Sequence, residues 1–266
     1  MKTRIVSAIV GVPLLIFLIS YGGWPLVISV LFLSLVGMKE FYNAFASISQ
    51  PLSMLGYGAT LLYILIVLPK QQYFPLFIAV FILALLISLV FSYPKRNIMD
   101  IGVTFFGFFY VTFLFSHIFL LRNISNGIFL IWLIFISAWG SDTGAYFIGV
   151  WLGKHKLCPQ LSPKKTIEGA LGGILGGSIL ALLYGYFLQR YVSVGIENFS
   201  FVCFLIGIAG AALSQLGDLS ASAIKRFTKI KDFGKLIPGH GGVLDRFDSI
   251  LFTAPFVYYV LQCILF

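Results

Sequence analysis

Long apolar blocks, separated by short polar or Pro/Gly-containing breaks, make up most of the chain. The block at 75–91, PLFIAVFILALLISLVF, contains no charged residue and does not alternate polar with apolar positions. Blocks of about 20 apolar residues match a helix that crosses a hydrocarbon core, whereas β-barrel strands are short and alternating. We therefore predict an all-α polytopic membrane protein with about nine transmembrane helices. These helices are expected near 5–20, 24–46, 52–69, 73–92, 99–121, 127–150, 167–189, 199–224 and 248–266.

The composition supports the same class. Of the 266 residues, 59% are hydrophobic and 10% are charged, and the mean hydropathy is +1.00. A soluble domain carries about 25% charged residues, so a water-soluble fold is excluded. The cysteines Cys158, Cys203 and Cys263 are scattered without metal-ligand spacing, which predicts free thiols.

Lysine and arginine are distributed unequally between alternate loops, and this asymmetry predicts the orientation. Cytoplasmic loops of membrane proteins carry an excess of both residues. With a cytoplasmic N-terminus, all but three of the 18 lie on the inner side, the exceptions being Lys70, Arg122 and Arg190. An odd number of helices then places the C-terminus outside. We predict one polytopic domain over 1–266, in which 1–125 are mainly scaffold and 126–266 hold nearly all the chemically specific positions.

Several carboxylates lie within or beside apolar segments, where an ionised group costs about 2.5–3.5 kcal/mol. Asp142 and Asp218 interrupt the sixth and eighth predicted spans. Asp245 and Asp248 begin the ninth span three residues apart, so both can face one direction. In the predicted orientation these four acids approach the cytoplasmic boundary at one depth. Glu168, which opens the seventh span, is a fifth candidate.

Cations and glycines surround these acids in the sequence. Carboxylate oxygens suit Mg²⁺, which typically binds through one or two carboxylates plus substrate phosphates. Lysine and arginine bind phosphate, and glycines such as Gly239, Gly241 and Gly242 let backbone N–H groups approach an anion at a helix start. The combination predicts a metal-assisted phosphate site at the inner membrane face. The flanking basic residues are Lys164, Lys165, Lys225, Arg226, Lys229, Lys231, Lys235 and Arg246.

Simpler interpretations of single residues stay open. Basic inner-loop residues such as Lys154, Lys156 and Lys229 also act as topology signals and attract anionic lipid. Asp142 taken alone could be a proton or ion relay. His240, flanked by glycines, could be a solvated loop histidine, and His117, on an aromatic span, is expected to be a packed or interfacial histidine.

The stretch GALGGILGGS places a glycine at every fourth position from Gly169 through Gly173 to Gly177. Small residues at this spacing let helices pack closely in lipid, within or between subunits. Before it, Ser162 and Pro163 predict an N-cap followed by proline at the first helical position. Lys164, Lys165 and Thr166 would then lie where a helix start can hold phosphate.

The segment SASAIKRFTKIKDFGKLIPGHGGVLDRFDS, at 220–249, resembles the signature of phosphatidate cytidylyltransferases, also called CDP-diacylglycerol synthases. Two further segments, SDTGAYFIGVWLGKHKLCPQLSPKKTIEGALGG and SQLGDLSASAIKR, are similar to the same family. Together they cover roughly the last half of the chain, which makes the resemblance far more specific than a lone glycine motif. The matching signature positions are Ser222, Lys225, Arg226, Lys231, Asp232, Pro238, Gly239, His240, Gly241, Gly242, Asp245, Arg246 and Asp248.

The resemblance implies that CTP and phosphatidate react to CDP-diacylglycerol and pyrophosphate, with Mg²⁺ as cofactor and a second metal ion left open. It makes 126–266 the catalytic half. The expected metal ligands are Asp218, Asp245 and Asp248. The expected catalytic residues are Asp218, Asp245, Lys225, Arg226, His240 and Arg246. The expected cofactor-binding residues are Lys164, Lys165, Gly241, Gly242, Asp142 and Glu168, of which Lys164 and Lys165 bind phosphate and Asp142 and Glu168 are second-tier ligands or orient lysine and arginine.

The expected partners follow from this reaction. They are CTP, phosphatidate and membrane lipids, with no nucleic acid, and a homodimer is left open. The protein is expected in the inner (plasma) membrane with its site facing the cytoplasm. A CTP-dependent lipid-alcohol (polyprenol) kinase would use similar metal and phosphate chemistry. An ion-coupled transporter is the third hypothesis, although transporter sites lie nearer the bilayer midplane.

Overall fold

The computed structural model describes residues 2–192, 194–236, 239 and 241–265, and for 2–8 the backbone only. Most of this part is helical. Two π-helical turns, Tyr63–Val67 and Phe108–Phe113, and a 3₁₀ turn, Gln71–Tyr73, join neighbouring helices. The α-helices are α1 Lys2–Tyr21, α2 Gly23–Phe45, α3 Ser53–Leu62, α4 Phe74–Ser92, α5 Ile98–Gly107, α6 Leu114–Arg122, α7 Gly127–Leu130, α8 Trp132–Leu152, α9 Ile167–Tyr191, α10 Phe199–Phe227 and α11 Leu244–Leu265.

Each of the nine predicted spans coincides with a helix or with a run of joined helices. The two shorter apolar helices are Ile9–Tyr21 and Ser53–Val67. The prediction of an all-α polytopic membrane protein is therefore confirmed, while the number of crossings and the side of each terminus stay predictions. Seven helical runs in the described part are long and apolar enough to cross a membrane: Gly23–Phe45, Gln71–Ser92, Ile98–Arg122, Gly127–Leu152, Ile167–Tyr191, Phe199–Phe227 and Leu244–Leu265.

A short antiparallel hairpin connects α8 to α9. Its strands are β1, Lys156–Cys158, and β2, Ser162–Thr166. The prediction that a helix begins at Ser162 and Pro163 is wrong, because both residues lie in β2 and α9 begins only at Ile167. A proline is tolerated at the start of a strand in so small a sheet. The cap is Thr166, whose side chain accepts a hydrogen bond from the Gly169 N–H at 3.1 Å.

The chain forms two compact units that are interleaved in sequence. The first unit comprises Met1–Phe119 and Phe227–Arg246, and the second comprises Leu120–Arg226 and Phe247–Phe266. The assignment of 1–266 to one domain, with a scaffold half and a catalytic half, stays a prediction.

Aromatic side chains fill the core of the first unit. The buried Phe108 ring lies 5.3 Å from the Phe77 ring and 5.2 Å from the Phe81 ring, measured between centroids. Hydrogen bonds between buried side chains join helices in the same unit, and one connects the hydroxyls of Thr60 and Thr112 at 2.8 Å. Such bonds satisfy polar groups that have no access to water in an apolar bundle.

Glycines bring α8 and α9 into close contact in the second unit. A Cβ atom added at Gly140 would lie 3.0 Å from the Gly177 Cα, and one added at Gly176 would lie 3.1 Å from the Gly144 Cα. A Cβ at Gly169 would lie 3.0 Å from a backbone carbonyl oxygen of α8. The prediction of close packing through these small residues is confirmed within the chain.

Candidate active site

The β-hairpin places two predicted phosphate-binding lysines directly before α9 in the second unit. Lys164 is exposed, and Lys165 is half-buried. Antiparallel pairing of β1 with β2 and the Thr166 cap fix this segment at the helix start. Lys164 and Lys165 are therefore presented by a short strand rather than by the first helical turn.

Lys165 forms an ion pair with Asp218 of α10, between the ammonium nitrogen and Oδ2. The two side chains are 27% and 32% exposed, so neither is sealed within the helix packing. In this arrangement the lysine supplies the charge compensation that an acid in an apolar helix requires.

A cavity of about 340 Å³ opens beside this hairpin. Its wall combines cationic, acidic and amide side chains with apolar ones. The cavity can therefore accommodate a ligand that has a charged end and an apolar end. The lining residues are Asp142, Ala145, Tyr146, Gly149, Val150, Leu157, Lys164, Lys165, Thr166, Gly169, Ala170 and Gln215.

Gln215 fixes the helices around this cavity. Its side-chain amide donates to the Ser141 hydroxyl of α8 at 3.1 Å and to the Ala170 carbonyl of α9 at 2.9 Å. Asp142 follows Ser141 directly, and Asp218 lies three residues after Gln215. One side chain therefore sets the spacing of the helices that carry both acids.

Asp248 completes the group of acids in the second unit. Its side chain is buried, and its Oδ1 accepts a hydrogen bond from the Ser249 N–H at 2.8 Å. It interacts electrostatically with Asp218, Lys225 and Asp142. Three of the acids predicted to approach one another therefore lie within electrostatic range, together with a predicted phosphate-binding lysine.

Glu168 has a different set of partners. Its carboxylate accepts hydrogen bonds from the backbone N–H groups of Lys154 and His155, and its Oε1 lies 2.6 Å from the His155 Nδ1. These contacts tie the end of α8 to the start of α9 and so hold the base of the hairpin. His155 could not be singled out from the sequence, since a polar residue in a basic loop carries no distinguishing signal.

The two remaining histidines differ in their environment. His117 is buried, its Nδ1 lies 2.9 Å from the Phe113 carbonyl oxygen, and its ring stands edge-on to the Phe113 ring. The expectation of a packed histidine is confirmed. His240, a predicted catalytic residue, lies outside the described residues, as does Pro238 of the same signature.

The glycine-rich segment before α11 belongs to the first unit, and Asp245 holds it from one side. The Asp245 Oδ2 accepts hydrogen bonds from the N–H groups of Phe233 and Gly242, at 2.8 and 3.0 Å. Gly241 adopts a φ of 89°, which favours glycine. Arg246, which follows Asp245, is exposed, as is Arg226 of the second unit.

Glu40 of α2, which the sequence analysis missed, holds the same segment. Its two carboxylate oxygens accept hydrogen bonds from the N–H groups of Val243 and Leu244, each at 3.0 Å. The only signal for Glu40 in the sequence is a single acid inside the apolar block LVGMKEFYNAF. Because a lysine precedes it, the pair suggests a helix end and not a buried carboxylate.

The donor set in the second unit fits Mg²⁺ only if substrate completes the coordination. No group of three or more His, Cys, Asp or Glu side chains in the described part of the chain is placed so that it could hold a metal ion. Asp218 and Asp248 nevertheless provide two carboxylates beside basic side chains, and Mg²⁺ commonly binds one or two carboxylates together with substrate phosphates. That Asp218 and Asp245 share a metal stays a prediction.

Comparison with known proteins identifies the family. The sequence model described as the Cytidylyltransferase family matches residues 2–264. Phosphatidate cytidylyltransferase of Bacillus subtilis is 33% identical, with 98% of this chain and 97% of the relative covered. The enzymes of the same name from Staphylococcus haemolyticus and Synechocystis sp. are 34% and 32% identical, with at least 96% of each chain covered. The chain therefore belongs to the cytidylyltransferase family and is a nucleotidyltransferase.

Proposed function

We propose that this protein transfers the cytidylyl group of CTP to phosphatidate, which yields CDP-diacylglycerol and pyrophosphate. The observation that carries the proposal is the cavity in the second unit, where Lys164, Lys165 and Asp142 share a wall with apolar residues. The three relatives are named phosphatidate cytidylyltransferase, which supports phosphatidate as the substrate.

The shape of the substrate explains why such a cavity suits it. Phosphatidate has a phosphate group on a glycerol that carries acyl chains, and it cannot leave the membrane boundary. Lys164 and Lys165 would bind the phosphate, and the apolar wall formed by Val150 and Leu157 would contact the lipid portion. CTP would approach from the aqueous side.

The reaction needs orientation and charge compensation more than proton transfer. An oxygen of the phosphatidate phosphate forms a bond to the α-phosphorus of CTP, and the bond from that phosphorus to the bridging oxygen of pyrophosphate breaks. A phosphate monoester is already anionic at neutral pH, so no general base is required. Lys165, Lys225, Arg226 and Arg246 would stabilise the charge on the phosphate groups of both substrates. His240 would position a phosphate by hydrogen bonding.

The acids have two roles in this proposal. Asp218 and Asp248 would hold Mg²⁺, and the metal would neutralise charge on the CTP phosphates. Asp245 is a further candidate ligand. Asp142 would orient a neighbouring lysine. Lys165 compensates the negative charge of Asp218 in their ion pair. Substrate phosphate would compete with Asp218 for this lysine.

The membrane topology determines where CTP can enter. We propose that the protein resides in the plasma membrane with this site facing the cytoplasm. The distribution of lysine and arginine along the chain supports that orientation.

The test is a reaction of purified wild-type protein with phosphatidate, Mg²⁺ and CTP labelled in the cytosine ring. We expect the label to appear in the lipid fraction, and we expect Asp218→Asn to lower the rate by about a hundredfold or more. Glu197→Gln, a change of an exposed acid in the α9–α10 loop, is the matched control and should retain the rate. Absence of labelled lipid with the wild-type protein would refute the proposal.

A further inference from the structure

The carboxylate of Glu40 is buried in the first unit, although it lies on an otherwise apolar helix. The residue is 7% exposed. A carboxylate in such a place is costly unless hydrogen bonds compensate it. The residues that compensate it therefore indicate what Glu40 does.

The two N–H groups that compensate the carboxylate lie 203 and 204 residues further along the chain, at the start of α11. Val243 donates its N–H to Oε1, and Leu244 donates its N–H to Oε2. The first N–H groups of a helix have no partner within the helix, and they favour a negative charge. Glu40 thus caps α11 from a different helix.

Gly234 and Gly242 pack directly against the Glu40 carboxylate, and neither position has room for a side chain. A Cβ atom added at Gly234 would lie 2.7 Å from the Glu40 Cδ, and one added at Gly242 would lie 2.6 Å from it. Both glycines lie within the signature segment at 220–249, which continues into α11. The segment therefore packs against the Glu40 carboxylate at both glycines, in addition to the two hydrogen bonds that it donates to Glu40.

Asp245 holds the same segment through different atoms. Its Oδ2 accepts from the N–H groups of Phe233 and Gly242, while Glu40 accepts from the next two N–H groups in the chain, those of Val243 and Leu244. Three consecutive backbone N–H groups are thus bound by two carboxylates. The direction in which Asp245 points depends on both sets of bonds.

We propose that Glu40 is a positioning residue for the reaction, because it fixes the first turn of α11 and thereby the direction of Asp245 and Arg246. This inference rests on the proposed function, which gives Asp245 and Arg246 their roles. Glu40 itself touches neither substrate in the proposal. A residue in the first half of the chain is thus needed to hold the signature segment of the second half in place.

Asp100 provides a matched control in the same unit. It is also buried, 2% exposed, and its carboxylate accepts from the Ser49 hydroxyl and from the N–H groups of Gln50 and Asn97. These bonds cap α5 and hold a turn that is distant in sequence from the signature. Asp100→Asn therefore removes comparable hydrogen bonding without altering the start of α11.

The experiment compares wild type, Glu40→Gln and Asp100→Asn as full-length proteins in detergent. Glutamine keeps one acceptor but turns an NH₂ group towards a backbone N–H. We expect Glu40→Gln to lower kcat about tenfold or more per folded molecule, since hydrogen bonds to charged groups are among the strong ones. Asp100→Asn should lower thermal stability and leave kcat per folded molecule unchanged.

Amide hydrogen exchange supplies a readout that does not depend on activity. Glu40→Gln should accelerate exchange in peptides that cover 241–246, whereas Asp100→Asn should accelerate it around 49–50 and 97–104 and leave 241–246 unchanged. If Glu40→Gln folds poorly, Glu40→Asp, which keeps the charge on a shorter side chain, should show the same pattern to a smaller extent.

The outcomes separate this inference from the proposed function. An active wild type together with a Glu40→Gln protein that matches Asp100→Asn in kcat and in exchange at 241–246 would overturn the positioning role alone. A wild type that makes no cytidine-bearing lipid would overturn the proposed function, and the exchange comparison would then decide whether Glu40 fixes α11.

Discussion

Lys165 compensates an acid of the protein while it lines the cavity that is proposed to bind phosphatidate. Both members of the Lys165–Asp218 pair are partly exposed, and exposed ion pairs contribute at most about 1 kcal/mol to stability. A phosphate group offers the lysine a charge-assisted contact of comparable or greater strength. Substitution of Lys165 should therefore affect substrate binding more than folding.

Lys165→Ala should lower kcat/KM for phosphatidate by about ten- to a hundredfold, since one charge-assisted phosphate contact is lost. The measurement is initial rate against phosphatidate concentration in mixed micelles, with CTP saturating. Lys156→Ala removes an exposed lysine from β1 of the same hairpin and serves as the control. Equal effects of the two substitutions would show that Lys165 contributes only general positive charge.

Individual residues could be predicted from the sequence where an acid interrupted an apolar helix. Asp142 and Asp218 stood out in this way, and Asp248 stood out as an acid at the start of the ninth span. Asp248 lies within electrostatic range of both of the others in the second unit. Glu40 and His155 were missed because their partners, at Val243, Leu244 and Glu168, become neighbours only in the folded chain. Long-range partners of this kind leave no pattern in a single sequence.

The helices were predictable as elements because length and hydropathy alone indicate a membrane-spanning helix. The hairpin was not, since strands of three and five residues with lysines and a proline show no alternation of polar and apolar positions. Ser162 and Pro163 resemble a helix start, and only the pairing of Lys156 with Thr166 shows that the helix begins later.

The contact between α8 and α9 depends on glycine at the element scale. Gly176→Ala would place a Cβ 2.9 Å from the Gly140 carbonyl oxygen and 3.1 Å from the Gly144 Cα, and these backbone atoms cannot move independently of their helix. We expect a loss of about 1–3 kcal/mol in the free energy of unfolding, as for other overpacked contacts. Thermal unfolding in detergent measures it as a lower midpoint.

Gly102→Ala is the control for this substitution. Gly102 is exposed on α5, and nothing lies within 4 Å of an added Cβ. Alanine is the better helix former, by up to about 1 kcal/mol, so the midpoint should stay the same or rise. A Gly176→Ala protein as stable as Gly102→Ala would contradict the close backbone packing of α8 and α9.

At the scale of the whole molecule, composition was enough to predict a membrane protein, and the matching family extends from residue 2 to residue 264. The organisation into two interleaved units could not be predicted, because Phe227–Arg246 joins the first unit through contacts that are remote in sequence. Glu40 supplies one such contact, within that unit. The first half of the chain therefore does more than add apolar helices.

In the proposed reaction the cytidylyl group, and not the terminal phosphate of CTP, is transferred to phosphatidate. The direct measurement gives purified protein phosphatidate, Mg²⁺ and CTP that carries radioactive phosphorus at either the α or the γ position. We expect the α label to enter the lipid fraction and the γ label to leave with pyrophosphate. Transfer of the γ label to a lipid, or transfer of neither label, would contradict it.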